Sequence, residues 1–132
     1  MIQSAIQIAI IGLFGAVGAV ARYGVSGWVQ NAMGQSFPLG TLAVNLIGCF
    51  LLGAVAHVNQ TTELIPKDLQ QGITFGMLGA FTTFSTFGYD TLKLLQGGQW
   101  SWGVLNSAVS VVTGLLAVWL GLTLARLVSG GA

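Results

Sequence analysis

Between Gly79 and Asp90 the chain sets Thr82, Thr83, Ser85, Thr86 and Asp90 among Phe81, Phe84 and Phe87, inside an apolar stretch, Gly72 to Leu95, long enough to cross a bilayer. Hydroxyls are neutral donors and acceptors, and in hydrocarbon every such group needs a partner. A lipid-facing helix has no use for four of them and an acid. The pattern points to a protein interior, or to a path for something polar. By helical spacing Thr83, Thr86 and Asp90 share one face and Phe81, Phe84 and Phe87 the adjacent one; the spacing of the phenylalanines alone also fits ordinary helix packing. Gly76 and Gly79 precede the Thr82-Thr83 pair, where glycine and hydroxyls tolerate a helix break. A break there would turn backbone carbonyls toward a cation.

Other polar residues lie in apolar surroundings. Asn45 sits amid Leu42, Val44, Leu46 and Ile47. Its amide suits either an interhelical hydrogen bond or an anion. Asn106, Ser110 and Thr113 recur at helical spacing with Ser107 beside them, a polar stripe whose hydroxyls could also bond back to their own helix. Arg22 reads as a snorkelling interfacial residue or as part of a watery mouth. His57 has no Asp, Glu or Cys at ligand spacing and is expected at the interface. Cys49, the only cysteine, can form neither an intrachain disulfide nor a cysteine cluster.

These groups do not compose a catalytic site. There is no nucleophile elbow and no phosphate-cradling glycine loop with its lysine, so an enzyme is not expected. Four basic and three acidic residues give a net charge of +1, far too little clustered charge for nucleic acid. Charged residues make up 5% of the 132 residues, against about a quarter in a soluble domain. The expectation is one small integral membrane unit, a single four-helix transmembrane channel domain over residues 1–132.

Four apolar stretches supply the scaffold. The first span covers about Ile6 to Ala21, with Gly12/Ala16 and Gly15/Ala19 at the four-residue spacing of close helix packing. Ala19-Val20-Ala21 resembles a signal cleavage site, but no Lys or Arg precedes the apolar run, so a retained helix is expected. Tyr23 to Leu39, punctuated by glycines and Pro38, reads as a loop with an interfacial helix around Trp28. The second span is about Gly40 to His57, followed by a polar connecting loop, Asn59 to Gln71. The third span begins near Leu69 to Gly72, and the fourth covers about Gly103 to Leu124 behind Trp100 and Trp102.

With both termini on one side, Lys67 and Arg126 fall on that side and Arg22 and Lys93 on the other. A positive charge balanced between the two sides predicts insertion in both orientations and permits an antiparallel homodimer.

The run Gly79-Ala80-Phe81-Thr82-Thr83-Phe84-Ser85-Thr86-Phe87-Gly88, with Gly40-Thr41-Leu42-Ala43-Val44-Asn45-Leu46 and Ala21-Arg22-Tyr23, resembles the Fluc (CrcB) family of fluoride channels. The resemblance covers essentially the whole chain. It implies an all-α fold of four transmembrane helices with the third broken mid-membrane, in an antiparallel, dual-topology homodimer with two fluoride pores. It also implies a structural sodium ion at the dimer centre, held by backbone carbonyls that match Gly79 and Thr82, and no organic cofactor. The family's pore phenylalanines fall on Phe84 and Phe87, its second-helix asparagine on Asn45, its hydroxyl track on Ser85 and Thr86, and its vestibule arginine on Arg22. Asp90 stands at the vestibule where the family commonly has Glu. On the fourth helix Ser107 matches a pore-facing position in one alignment and Ser110 in another shifted by a residue. The implied partners are fluoride, membrane lipid and a second copy of the chain, in a prokaryotic cytoplasmic (inner) membrane.

The chemistry agrees with that resemblance. An aromatic ring is negative on its faces and positive at its edge, so phenylalanine edges can meet a small anion. Hydroxyl and amide donors can replace part of its water shell, and several weak sites favour passage over trapping. The competing readings are a small dual-topology multidrug transporter, which would need an acidic residue in the first helix that this chain lacks, and a non-transporting membrane scaffold, which would leave the hydroxyls and Asn45 unused.

Overall fold

The computed structural model describes residues 2–63 and 65–130, and among them the regular structure is entirely helical. Helix α1 (Ile2–Met33) is unbroken for 32 residues, about 48 Å at 1.5 Å per residue. This corrects the loop expected from Tyr23. Gly24 and Gly27 weaken a helix without stopping it, and the chain leaves the helix only at Gly34, whose φ of 97° is left-handed. Helix α2 (Leu39–Thr61) starts directly after Pro38, and α6 (Trp100–Val128) follows the Gly97-Gly98 turn.

Between them the chain is segmented. A short α3 (Lys67–Gln71) takes up the end of the stretch expected as loop. It runs into a π-helical segment, Gly72–Leu78, and a single turn, α4 (Gly79–Phe81). Thr82 and Thr83 are extended, and α5 (Phe84–Gln96) begins anew after them.

Helices α1, α2 and α6 are each long and apolar enough to cross a membrane, with mean hydropathies of 2.0, 2.1 and 2.1. Their outward side chains are apolar, as with Leu13, Val20 and Leu115, which marks a multi-pass membrane protein whose exterior faces lipid or other protein. Helix α2 packs along α6, and α1 along the π-helical segment and α4.

Small residues set these distances. A Cβ on Gly53 would overlap the Val118 carbonyl, and one on Gly121 would overlap the Phe50 carbonyl, so α2 and α6 touch backbone to backbone from both sides. A Cβ on Gly18 would likewise strike the Met77 carbonyl. The small core includes Val44, Leu78, Phe81 and Leu94.

Candidate functional site

The break at Thr82-Thr83 is made by hydrogen bonds that divert two backbone N–H groups. In a continuous helix the Thr83 N–H would donate to Gly79 and the Thr86 N–H to Thr82. Here Thr83 N donates to Asn45 Oδ1 at 2.7 Å, and Thr86 N donates to Thr83 Oγ1 at 3.1 Å, the side-chain cap of α5. The carbonyls of Gly79 and Thr82 thus lose the helical donors that would have covered them. Asn45 also donates from Nδ2 to the Thr83 carbonyl at 3.0 Å, so its amide grips both edges of one residue. Thr83 Oγ1 donates to Thr86 Oγ1 at 2.9 Å and lies 3.2 Å from Ser85 Oγ. Thr82 Oγ1 donates back to Leu78 O at 3.0 Å.

Around this node are three cavities of about 500 to 520 Å³. The first is mostly apolar and is bordered by Phe84, Phe87, Gly79 and Thr82, with Asn45 and Ser110 as polar points. The Phe84 and Phe87 rings stand 5.4 Å apart, tilted by 49°, and Phe84 is 82% exposed. The second cavity is polar, with Asp90, Thr41, Thr86, Gln30 and Lys93 in its wall. The third brings Arg22 together with Thr83, Thr86, Thr41 and Gln30. Their walls are shared: Thr83 borders the first and third, and Thr41 and Thr86 border the second and third. Neutral polar side chains therefore line these cavities from the Asp90 end to the phenylalanines.

The structure gathers Asn45, Thr82, Phe84, Phe87 and Ser110 at one cavity, and Arg22, Thr86 and Asp90 at the connected polar ones. Ser85 is exposed beside Thr83. Ser107 stands apart, because its hydroxyl donates to the Gly103 carbonyl of its own helix at 3.1 Å and it borders none of the three cavities. Arg22, placed just outside the apolar core by its sequence context, lies well inside α1 and borders the third cavity. His57, expected at the interface, is buried within the protein, 5% exposed, and its Nε2 lies 2.9 Å from Ser129 Oγ.

Two residues of the site were missed. Thr41 donates to Asp90 Oδ2 at 2.7 Å. Its signal was present, since Thr41 and Asn45 are four apart and share a face of α2. Gln30 borders both polar cavities from a segment expected to be loop, where no helical face could be assigned to it.

The described residues define a multi-pass helical membrane protein in which neutral polar side chains line cavities beside a pair of phenylalanine rings. Its relatives agree with that class. Residues 9–122 match the family described as CrcB-like protein, Camphor Resistance (CrcB), and the chain belongs to this family. It is 48% identical over 130 residues to a protein of Pelobacter propionicus named fluoride-specific ion channel FluC, covering 98% of each chain. It is 46% identical over 121 residues to proteins of the same name from Geobacter metallireducens and Sorangium cellulosum; these alignments span 92% of this chain, and 98% and 95% of the relatives.

Proposed function

We propose that this chain is a fluoride-selective ion channel that lets cytoplasmic fluoride leave a prokaryotic cell passively, down its electrochemical gradient, across the cytoplasmic (inner) membrane. The observation that carries the reading is the run of neutral polar side chains lining the adjoining cavities from Thr41 and Thr86 to the Asn45-Thr83 node, next to the Phe84-Phe87 pair, in a chain whose relatives are named for fluoride. Donors without full charges replace the ion's water and release it again. Arg22 draws the anion toward the mouth. Phe84 and Phe87 turn positive ring edges to it. Hydrogen fluoride crosses membranes uncharged and releases its proton in a less acidic cytoplasm, and the trapped anion then needs such an exit.

In this reading the segments from Lys67 to Gln96 form a third transmembrane passage broken at its middle, and two antiparallel copies make one channel with two pores. The balanced positive charge and the broad apolar exterior support that assembly. The carbonyls of Gly79 and Thr82, both deprived of helical donors and both bordering the same cavity, suit a hard cation that takes oxygen ligands. A sodium ion there, shared between two copies, would neutralise those carbonyl dipoles at the dimer centre.

Efflux from liposomes tests the function. Vesicles holding purified protein are loaded with potassium fluoride or potassium chloride and triggered with a potassium ionophore. Rapid fluoride loss with negligible chloride loss is expected; retention of both anions by vesicles that contain folded protein would overturn the reading. Tags on the termini should be found on both sides of the membrane, and one uniform orientation would exclude the antiparallel dimer.

A further inference from the structure

We propose that Gln30 is a positioning residue for fluoride entry, its amide holding the α1–α2 loop so that Thr41 keeps the Asp90 carboxylate tethered at the mouth. The inference rests on the fluoride reading of this cavity. Nothing in the sequence motifs pointed to Gln30, yet its amide is fully used. Nε2 donates to the Gly34 carbonyl at 2.6 Å and to the Phe37 carbonyl at 2.9 Å, while Oε1 accepts from the Gly40 N–H at 3.0 Å. These three bonds cross the whole connection between α1 and α2.

The third bond matters most for the mouth. Pro38 gives α2 no side-chain cap, so the Gly40 N–H of the first turn would lack an acceptor without Gln30. Gly40 is itself pressed against α1, where a Cβ would overlap the Ser26 carbonyl. Thr41 comes next in the chain. It is 8% exposed and donates its one hydroxyl proton to Asp90 Oδ2. A shift of the first turn of α2 therefore moves Thr41 away from Asp90. On the loop's other side Phe37, held by Gln30, rests on Trp102 with ring centroids 5.4 Å apart.

The consequence is electrostatic. Among the described residues Asp90 is the only acidic one lining the polar cavities, and a carboxylate free to swing into the mouth would repel an entering anion. Tied to a hydroxyl donor, its charge is held in place and partly offset. Gln30 thus acts on fluoride through Thr41, without touching the ion.

A flux cycle in liposomes tests this. Gln30→Leu and Thr41→Val are each expected to slow fluoride efflux about tenfold while eluting as the wild type does. The double variant is expected to be no slower than Thr41→Val alone. Because repulsion between charges is screened by salt, the deficit should shrink at high ionic strength, a response that mere loosening of the fold would not give. Wild-type flux in either single variant, multiplied effects in the double variant, or a deficit indifferent to salt would each overturn the proposal. If Gln30→Leu does not fold, Gln30→Met, neutral and of similar length but without any of the three hydrogen bonds, enters the same cycle. Failure of the wild type itself to pass fluoride would count against the channel reading, a result separate from any of these.

Discussion

Asn45 holds Thr83 by both backbone edges, accepting from its N–H at 2.7 Å and donating to its carbonyl at 3.0 Å. One amide on α2 thereby replaces the helical bonds that the chain gives up between α4 and α5. The interhelical bond and the interruption of the helix, separate expectations from the sequence, are one arrangement. A second Nδ2 hydrogen of Asn45 remains for another acceptor at the apolar cavity that it borders.

Replacing Asn45 with Leu keeps the volume and removes the grip, leaving the Thr83 N–H and carbonyl without partners in a buried place. An unsatisfied buried group costs about 1–3 kcal/mol. The variant is expected to unfold at a lower temperature in detergent and to lose most fluoride efflux. An unchanged unfolding midpoint would mean that the break stands without Asn45.

Phe84→Ile and Phe87→Ile keep an apolar side chain and remove the ring edge. Each is expected to cut fluoride efflux about tenfold or more, in line with the ~0.5–1.5 kcal/mol carried by aromatic geometry at each of several successive contacts. Elution on size exclusion should not change. Full flux in both would remove these rings from the path.

Glycine substitutions should sort by what a Cβ would meet. Gly121→Ala drives a methyl into the Phe50 backbone, and such overpacking costs about 1–3 kcal/mol. Gly114→Ala meets only Cys49 Sγ, at an ordinary contact distance of 3.8 Å, and should not destabilise. Gly12→Ala meets nothing within 4 Å and should stabilise α1 by up to ~1 kcal/mol through helix propensity. Unfolding midpoints of the three in one detergent check the order.

Ser107 and Ser110 of α6 are expected to separate by function. Ser107 spends its hydroxyl on its own helix, whereas Ser110 borders the cavity of Phe84 and Phe87. Ser110→Ala should slow fluoride efflux and Ser107→Ala should leave it near the wild-type rate, each measured beside the wild type in parallel liposomes. The reverse result would move the path along α6 toward Ser107.

Much was legible in the sequence, and the reasons differ by residue. Low charge and long apolar runs declare a membrane protein because only helices or closed barrels satisfy the backbone in lipid. The hydroxyl run at Thr82 to Thr86 could be read as a site because polar groups are costly there. The extent of α1 was not legible, because Gly24 and Gly27 look like punctuation in sequence, and the packed structure tolerates both within the helix. The partner of His57 was not legible either, because Ser129 lies 72 residues away in the chain.

The sequence by itself determined the solvent, the helical class and the chemical kind of the site, since these follow from composition and from the 3.6-residue period. Only the tertiary structure decided which polar groups are spent on the protein and which border a cavity. Asn45 finds Thr83, Thr41 finds Asp90 and Gln30 finds Gly40 across 38, 49 and 10 residues. A hydrogen bond depends on distances of about 3 Å between atoms, and for groups on different helices those distances are set by packing, here by glycines that bring α2 against α6 and α1 against the π-helical segment.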